Sequence, residues 1–157
     1  METIIVGIDP GVTGSIACLN VNGDQFFPMP TYEIKNKKYI DGKQLYKLLD
    51  TIQPNIIAIE EVHAMPKQGV TSMFNFGFSY GTIIGVINSL QTIYNVELIK
   101  VSPVTWKKFF NLPAGDKEAV LSYVGHPLIS KETNKNRRIS FSESYLIARY
   151  AQIKFKL

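Results

Sequence analysis

The stretch from Thr3 to Gly11 constrains this chain most, because it is a run of apolar residues that ends in a carboxylate and a Pro-Gly turn. A strand that is apolar on both faces is typical of the middle of a sheet. Asp9 closes this strand, and a buried carboxylate is costly unless a cation or a hydrogen bond compensates its charge. The stretch therefore predicts a central strand that ends either in a cation site or in an aspartate-capped turn.

Two further acids are predicted to lie at the ends of secondary-structure elements. The apolar stretch from Ile56 ends at Glu60, and Glu143 is predicted to lie in the first turn of a closing helix. If the two strands are neighbours, Asp9 and Glu60 repel each other, and a divalent cation such as Mg²⁺ relieves that repulsion. For Glu143, stabilisation by the helix dipole is an alternative. Together the three acids predict two-metal phosphoryl chemistry, in which ions about 4 Å apart activate water and stabilise the leaving oxygen.

The composition indicates a globular chain with a proper core. It has 157 residues, of which 45% are hydrophobic, and we expect residues 1–157 to form one domain. The net charge of +4 is compatible with a polyanionic partner, although each lysine cluster taken alone is typical of solvated surface. Cys18 is the single cysteine, which fits a reducing compartment. The sequence shows neither a signal pattern nor an apolar run of membrane-spanning length, so we expect a cytoplasmic protein that does not contact a membrane.

The order of predicted elements indicates an α/β fold with a mixed sheet. Three antiparallel strands open the chain, and Asp41 is predicted to cap a helix that ends before Pro54. Polar loops are predicted over 31–38 and 127–139. The remaining strands and helices are predicted over 56–61, 71–90, 96–101, 104–110, 116–124 and 140–155.

The predicted helix over 71–90 is rich in glycine. Gly77, Gly81 and Gly85 recur every four residues, a spacing that permits close backbone packing. Phe74, Phe78 and Tyr80 on the same helix are predicted to lie in the core, with a partner surface as the alternative.

Other common chemistries lack their motifs. The sequence has no Walker-type glycine loop, no Cys/His spacing for zinc and no nucleophile that matches His63 or His126. His63 follows Glu60 closely, so it is a candidate for contact with nucleic acid or with a metal-bound water, although an ordinary surface histidine is the simpler explanation.

Three segments resemble the acidic motifs of RuvC-type Holliday junction resolvases, which have a ribonuclease H-like fold. They are Gly7–Gly11, Ile57–Glu61 and Glu143–Ala148. Further features match in the same order: the segment 69–74, the glycine-spaced helix, the segment 101–103 with 106–108, and the segment 116–118. The last three of these features resemble the small phage-encoded members. The resemblance implies a mixed five-stranded sheet flanked by helices, and the cytoplasm of a bacterial host if the chain is phage-encoded.

The resemblance also implies an activity. It implies a homodimer that binds four-way DNA junctions and nicks opposed strands with Mg²⁺, for which Mn²⁺ substitutes. Asp9, Glu60 and Glu143 match catalytic metal ligands of the family. The family's fourth site residue, an Asp or His, is replaced here by Ser140, whose hydroxyl is a weak magnesium ligand. If a carboxylate takes the place of the missing fourth ligand, a loop movement has to bring in a neighbouring acid, either Glu132 or Asp116.

The basic residues are candidates for contact with the phosphates of a junction. These candidates are Lys107, Lys108, Lys117, Arg137 and Arg138, and they predict an affinity that falls steeply with salt. The loop from His63 to Val70 leads, in the family, to the junction crossover, where Met65 or Phe74 is a candidate wedge between bases.

Two other functions compete with this one. The first is a branched-DNA-binding protein with weakened cleavage, which the serine at position 140 favours. The second is a relative of the sugar kinases that share the wider fold, and the missing second lobe and nucleotide-binding glycines argue against it. The sequence leaves open the cleavage preference and the use of a branch-migration partner.

Overall fold

The computed structural model describes residues 3–63 and 69–156. This part of the chain contains seven strands and six helices. The strands are β1 (Ile5–Asp9), β2 (Ser15–Leu19), β3 (Gln25–Pro28), β4 (Thr31–Ile34), β5 (Lys37–Ile40), β6 (Ile56–Glu60) and β7 (Glu97–Val101). The helices are α1 (Gly42–Ile52), α2 (Val70–Gln91), α3 (Pro103–Phe109), α4 (Lys117–Val124), α5 (Pro127–Ser130) and α6 (Lys135–Lys154).

Five strands form one mixed sheet in the order β3-β2-β1-β6-β7. The first three strands in sequence pair antiparallel, whereas β6 is parallel to β1 and β7 is parallel to β6. The helix between the hairpin strands and β6 provides the crossover that a parallel pair requires. The predicted mixed five-stranded sheet with a central β1 is therefore confirmed.

The core is divided by the sheet into two layers. Alternate residues of β1 point to opposite faces, so Ile5 belongs to one hydrophobic cluster while Val6 and Ile8 belong to the other. The first cluster lies under α3, α4 and α6, and the second lies under α1 and α2. Strands that are covered on both faces need apolar residues at every position, which explains the unbroken apolar run of β1.

Gly7 lets α6 approach β1 unusually closely. A Cβ at this position would lie 2.1 Å from the carbonyl oxygen of Ser144 and 2.7 Å from the amide nitrogen of Ala148. Both atoms belong to the helix backbone, so no side-chain rearrangement would make room. The glycine two residues before Asp9 therefore sets the distance between this strand and α6.

The predicted cap of α1 is confirmed. The Asp41 side chain accepts a hydrogen bond from the backbone N–H of Gln44 at 3.0 Å, and α1 begins at the next residue, Gly42. The helix ends with Gln53 in the left-handed conformation, just before Pro54.

The segment predicted as a loop over 31–38 is instead most of a second, two-stranded sheet. Strands β4 and β5 pair antiparallel, and Lys35 and Asn36 form the turn between them with positive φ angles of 48° and 61°. Tyr32 and Tyr39 stack across the two strands, with ring centroids 5.6 Å apart. Cross-strand aromatic pairs stabilise a hairpin, and this contact compensates for the lysine-rich, polar sequence.

The closing helix begins earlier than the sequence predicted. Asn134 caps it by accepting a hydrogen bond from the Arg137 N–H, and α6 runs from Lys135, so the predicted loop over 127–139 is wrong for most of its length. Residues 127–130 form the short helix α5. Glu143 consequently lies more than two turns inside α6, where the field of the helix N-terminus no longer stabilises it.

Helix α2 is much more exposed than predicted. The side chains of Phe74 and Phe78 are 70% and 50% exposed, so the prediction that they lie in the core is wrong. A Cβ added at Gly77, Gly81 or Gly85 would meet no atom within 4 Å, so the predicted close packing on these glycines does not occur among the described residues.

The length of α2 corrects the expectation that no apolar run of this chain is long enough to span a membrane. It has 22 residues and an 18-residue window of mean hydropathy 1.3, only 17% of which is buried, so by length and composition alone it could span a membrane. One such helix is weak evidence for a membrane protein, because core helices of soluble proteins meet the same criteria.

Candidate active site

The parallel pairing of β1 and β6 brings the first two acids to one edge of the sheet. Ile8 is the register partner of Ile59, so Asp9 and Glu60, one residue further along each strand, end the two strands side by side. Helix α6 packs against β1 at Gly7 and carries Glu143 to the same end of the sheet. Three residues distant in sequence therefore meet at one place because neighbouring strands and a closely packed helix converge there.

Asp9 interacts electrostatically with both of the other acids. Burial raises the pKa of Asp9 well above its ordinary value of 3.8, and repulsion from Glu143 and from Glu60 raises that pKa further. The Ser140 hydroxyl donates a hydrogen bond to Oδ2 of Asp9 at 2.8 Å, and this bond lowers the pKa, as does the charge of Lys117. Asp9 is thus a partly buried acid whose charge is only partly compensated by the protein.

Glu60 is held by a tryptophan. The indole Nε1–H of Trp106 donates to Oε2 of Glu60 at 2.7 Å. Burial raises the pKa of Glu60, while this hydrogen bond and the charge of Lys107 lower it. The Trp106 ring is completely buried in the cluster beneath α3, so the position of the bonded carboxylate oxygen is fixed by core packing.

Glu143 is the third member. Burial and, to a smaller extent, repulsion from Glu60 raise the pKa of Glu143, whereas the charges of Lys107 and Lys117 lower it. The same two lysines therefore interact with the acids from two directions, because Lys107 lies on α3 and Lys117 begins α4. Lys107 also lies over the Trp106 ring, with Nζ 5.1 Å from the ring centroid. Lys107 and Lys117, both predicted to contact phosphates, therefore lie beside the acids.

The donor set suits a hard divalent cation, although the described residues do not already form a coordination shell. Carboxylate oxygens are the ligands that Mg²⁺ prefers, and buried carboxylates with raised pKa values gain most from a nearby cation. Within residues 3–63 and 69–156, no group of three or more Asp, Glu, His or Cys side chains is placed to hold a metal ion as it stands. The three acids therefore share a neighbourhood, and their chemistry fits a cation there.

Ser140 belongs to a buried network of serines behind Asp9. The Oγ of Ser15 lies 2.7 Å from the carbonyl oxygen of Ser140 and 2.8 Å from Oγ of Ser144, which in turn donates to the carbonyl of Phe141. Ser15, Ser140 and Ser144 are all buried. This network ties β2 to α6 and directs the Ser140 hydroxyl at Asp9, so the side chain at position 140 holds a carboxylate instead of adding one.

The two acids considered as substitutes for a fourth ligand are engaged elsewhere. Asp116 caps α4 by accepting a hydrogen bond from the N–H of Ala119. Glu132 accepts a hydrogen bond from the N–H of Asn134 and pairs with Arg137 at 3.4 Å. Neither contributes to the pKa shifts of Asp9, Glu60 and Glu143.

The remaining candidates for DNA contact occupy different positions. Lys108 and His63 are exposed, and His63 makes no contribution to the pKa shifts of the acids. Arg137 is exposed and pairs with Glu132, whereas the Nε of Arg138 is buried without a hydrogen-bond partner among the described residues. Met65 lies outside the described residues, so its predicted role as a wedge stays a prediction.

Sequence reasoning missed the part that Trp106 and the serines play. Trp106 was noted only as part of a motif, and Ser15 and Ser144 were not singled out. The usable signal was the single tryptophan directly before two lysines, because a buried indole N–H needs an acceptor. The serine network had no comparable signal, since its bonds join residues 125 and 129 positions apart.

Comparison with known proteins identifies the fold. No protein-family model matches the chain, and neither does any curated protein. RuvC from Thermus thermophilus in complex with a Holliday junction substrate is 15% identical, with a TM-score of 0.60 and 96% of each chain covered. The yeast mitochondrial Holliday junction resolvase is 13% identical, with a TM-score of 0.66 over 98% of this chain and 81% of that one.

A viral enzyme is similar as well. The fowlpox virus resolvase in complex with Holliday junction DNA is 14% identical, with a TM-score of 0.53 over 98% of this chain and 99% of that one. At these identities the likeness shows the fold, and the predicted ribonuclease H-like fold of Holliday junction resolvases is confirmed.

Proposed function

We propose that this chain is a metal-dependent endonuclease that binds four-way DNA junctions as a homodimer and nicks opposed strands by two-metal-ion phosphodiester hydrolysis. The observation that carries the proposal is the convergence of three partly buried carboxylates, from β1, β6 and α6, at one end of the sheet, where Lys107 and Lys117 also lie. Buried like charges of this kind are costly to a fold, and they are typical of sites that bind cations.

The residues around the proposed metal site have distinct roles in this proposal. Asp9, Glu60 and Glu143 would hold Mg²⁺, with Mn²⁺ as a substitute. Once bound, such cations activate water for attack on phosphorus and stabilise the leaving oxygen. Trp106 fixes one oxygen of Glu60, and the Ser140 hydroxyl fixes one oxygen of Asp9. Lys107 and Lys117 attract a phosphodiester to the acids that would otherwise repel it.

The substrate class is supported by the solved structures. The Thermus thermophilus protein and the fowlpox virus protein were both determined with Holliday junction DNA. The exposed cations of this chain, among them Lys108 and Arg137, provide further positive charge for a polyanion. Branched DNA is therefore the substrate that fold and charge together favour.

The homodimer is supported by α2. Its 22 residues carry no charged side chain, and its exposed residues include Phe74, Phe78 and the three glycines. In the second half of this helix, Gly81 and Gly85 would let the backbone of a second α2 approach closely. Sedimentation of the native chain and of Gly85→Gln tests this part. A native dimer and a monomeric variant are expected, and a native monomer would contradict it.

The nuclease proposal is tested with Asp9→Asn on a labelled synthetic four-way junction in Mg²⁺. We expect cleavage to fall by at least about a hundredfold, because a ligand charge is lost at a site where charge stabilisation supplies most of the rate. Binding in EDTA should be retained. Asp50→Asn on α1, whose Oδ1 accepts from the Tyr94 hydroxyl, is the matched acid-to-amide control. Undiminished nicking by Asp9→Asn would rule out the proposed site.

A second candidate function is a junction-binding protein with weakened cleavage. The observation in its favour is that Ser140 donates a hydrogen bond to Asp9 and offers no carboxylate of its own. Tight, salt-sensitive junction binding with no nicking in either Mg²⁺ or Mn²⁺ would favour this function. In that case Ser140→Asp, which adds an anionic ligand beside Asp9, is expected to raise metal-dependent nicking, whereas Ser140→Ala is not.

A further inference from the structure

The hairpin of β4 and β5 forms a cleft with the first half of α2, which we call the hairpin cleft. Its cavity volume is about 460 Å³, a size typical of ligand sites. Tyr39 from the hairpin and Phe74, Phe76 and Phe78 from α2 line it. The cleft exists only because residues 31–40 form a hairpin instead of a loop.

The aromatic rings of this cleft are arranged as open stacking surfaces. The ring centroids of Tyr39 and Phe78 lie 6.3 Å apart with planes at 86°, and those of Phe74 and Phe78 lie 6.4 Å apart with planes at 21°. Phe78 is 50% exposed and Phe74 is 70% exposed, so their faces are largely uncovered. Exposed, nearly parallel rings are costly in water, and they fit a flat aromatic ligand that stacks on them.

The polar groups of the cleft favour an anionic ligand. Lys37 donates to Oδ1 of Asn75 at 2.7 Å, and its Nζ lies 5.5 Å from the centroid of Tyr39. Lys38 also lines the cleft, and none of the lining residues that the structure describes is acidic. Glu33 is the register partner of Lys38 on the hairpin but does not line the cleft. Flat rings beside lysines suit a nucleotide better than an apolar peptide or a second, similarly cationic copy of this surface.

The cleft adjoins the candidate active site. Gly11 and Val12, which follow Asp9 in the turn after β1, form part of its wall. A nucleotide bound between the hairpin and α2 would therefore belong to a strand that passes close to the three acids.

We propose that the hairpin cleft binds an unpaired base of the DNA strand that enters the active site. This inference rests on the proposed function for its DNA substrate. Its chemistry is stacking of the base on Phe78 and edge contact with Tyr39, whose ring is nearly perpendicular to that of Phe78, with Lys37 and Lys38 at the phosphates. Duplex DNA keeps its bases stacked inside the helix, so the cleft selects unpaired nucleotides of the kind that a branch point offers.

The test measures DNA binding in EDTA, where no cleavage occurs. The probes are a fluorescein-labelled oligothymidylate of about 12 nucleotides and a duplex of the same length. Phe78→Leu removes the stacking face and is expected to weaken single-strand binding by about fivefold to a hundredfold, the range for one stacked base. Tyr39→Leu removes only the edge contact and is expected to weaken single-strand binding by less. Duplex affinity should stay unchanged. The control is Phe155→Leu, because Phe155 is exposed to the same extent, 49%, at the far end of α6.

The outcomes separate the cleft from the nuclease proposal. If both cleft variants bind the single strand as tightly as the native chain, or if the native chain does not bind it at all, the cleft proposal is wrong. It is equally wrong if Phe78→Leu changes only the oligomeric state. Loss of single-strand binding in a chain that never nicks junctions would support the cleft and refute the nuclease, because this assay does not depend on Asp9, Glu60 or Glu143.

Discussion

The indole Nε1 of Trp106 donates a hydrogen bond to Oε2 of Glu60 over 2.7 Å, although the two residues lie 46 positions apart in the chain. Trp106 is fully buried, so this carboxylate is the acceptor that its N–H requires. Because the bond uses one oxygen of Glu60 and fixes its direction, the arrangement resembles the outer-shell contacts that orient metal ligands in enzymes.

Trp106→Phe keeps an aromatic ring in the core, removes the hydrogen-bond donor and leaves a small cavity. We expect the concentration of Mg²⁺ needed for half-maximal nicking to rise by about tenfold, because loss of an orienting hydrogen bond typically costs 10- to 100-fold in metal affinity or activity. The measurement is a Mg²⁺ titration of nicking alongside a Mg²⁺ titration of Tm. Val120→Ala, in the same core cluster, is the control that loses packing without losing this bond. Equal Mg²⁺ dependence of the native chain and Trp106→Phe would show that the bond is purely structural.

The raised pKa of Asp9 predicts a pH-dependent cost to stability in the absence of metal. The folded chain binds the Asp9 proton more tightly than the unfolded chain does, so the free energy of unfolding falls as pH rises from 3.8 through the raised pKa. Above that pKa the full cost is present. We therefore expect Asp9→Asn to raise Tm by a few degrees in EDTA at neutral pH, and this gain should vanish as pH approaches 3.8.

The same site predicts stabilisation by metal. Mg²⁺ should raise the Tm of the native chain, because a cation that binds only the folded state stabilises it by mass action. The shift should be much smaller for Asp9→Asn. Calorimetry in EDTA and in Mg²⁺ checks both statements, and an Asp9→Asn chain less stable than the native chain at neutral pH would contradict the burial argument.

Lys117 is predicted to contact a phosphate, since its charge lowers the pKa of both Asp9 and Glu143 and so lies near the proposed position of the cut strand. Lys117→Gln should weaken junction binding in EDTA and reduce the slope of log affinity against log salt by about 1. Fluorescence titrations at several salt concentrations measure that slope. Lys154→Gln, at the C-terminal end of α6, should leave this slope unchanged. Identical slopes for both variants would exclude a phosphate contact.

Gly7→Ala is predicted to be costly, because the added methyl would overlap backbone atoms of Ser144 and Ala148. We expect a loss of about 3 kcal/mol in the free energy of unfolding, and a loss of nicking as α6 carries Glu143 away from β1. Gly77→Ala is the contrasting variant. Its methyl would meet nothing within 4 Å, so the helix should gain about 0.5–1 kcal/mol. Denaturant unfolding measures both, and a neutral Gly7→Ala would contradict the close approach.

The sequence alone determined the central strands and the identity of the acids. The apolar runs that end at Asp9 and Glu60 are local patterns, and a run without polar alternation has few solutions other than a buried parallel strand. Asp41 was correctly predicted as a helix cap for the same reason, because a cap acts on residues only a few positions away. The nearness of Asp9 and Glu60 then followed from the pairing of β1 with β6, whereas that of Glu143 required the packing of α6 against β1.

The tertiary structure decided what lies around those acids. The start of α6 at Lys135 and the hairpin over 31–40 have polar sequences whose local preference is weak, so capping, cross-strand stacking and packing determined their conformation. The bonds from Trp106 to Glu60 and from Ser140 to Asp9 join residues 46 and 131 positions apart, and no periodic pattern encodes a contact at such a separation. Exposure of Phe74 and Phe78 was missed for a related reason, since hydrophobicity indicates which side chains seek burial but not whether the rest of one chain suffices to cover them.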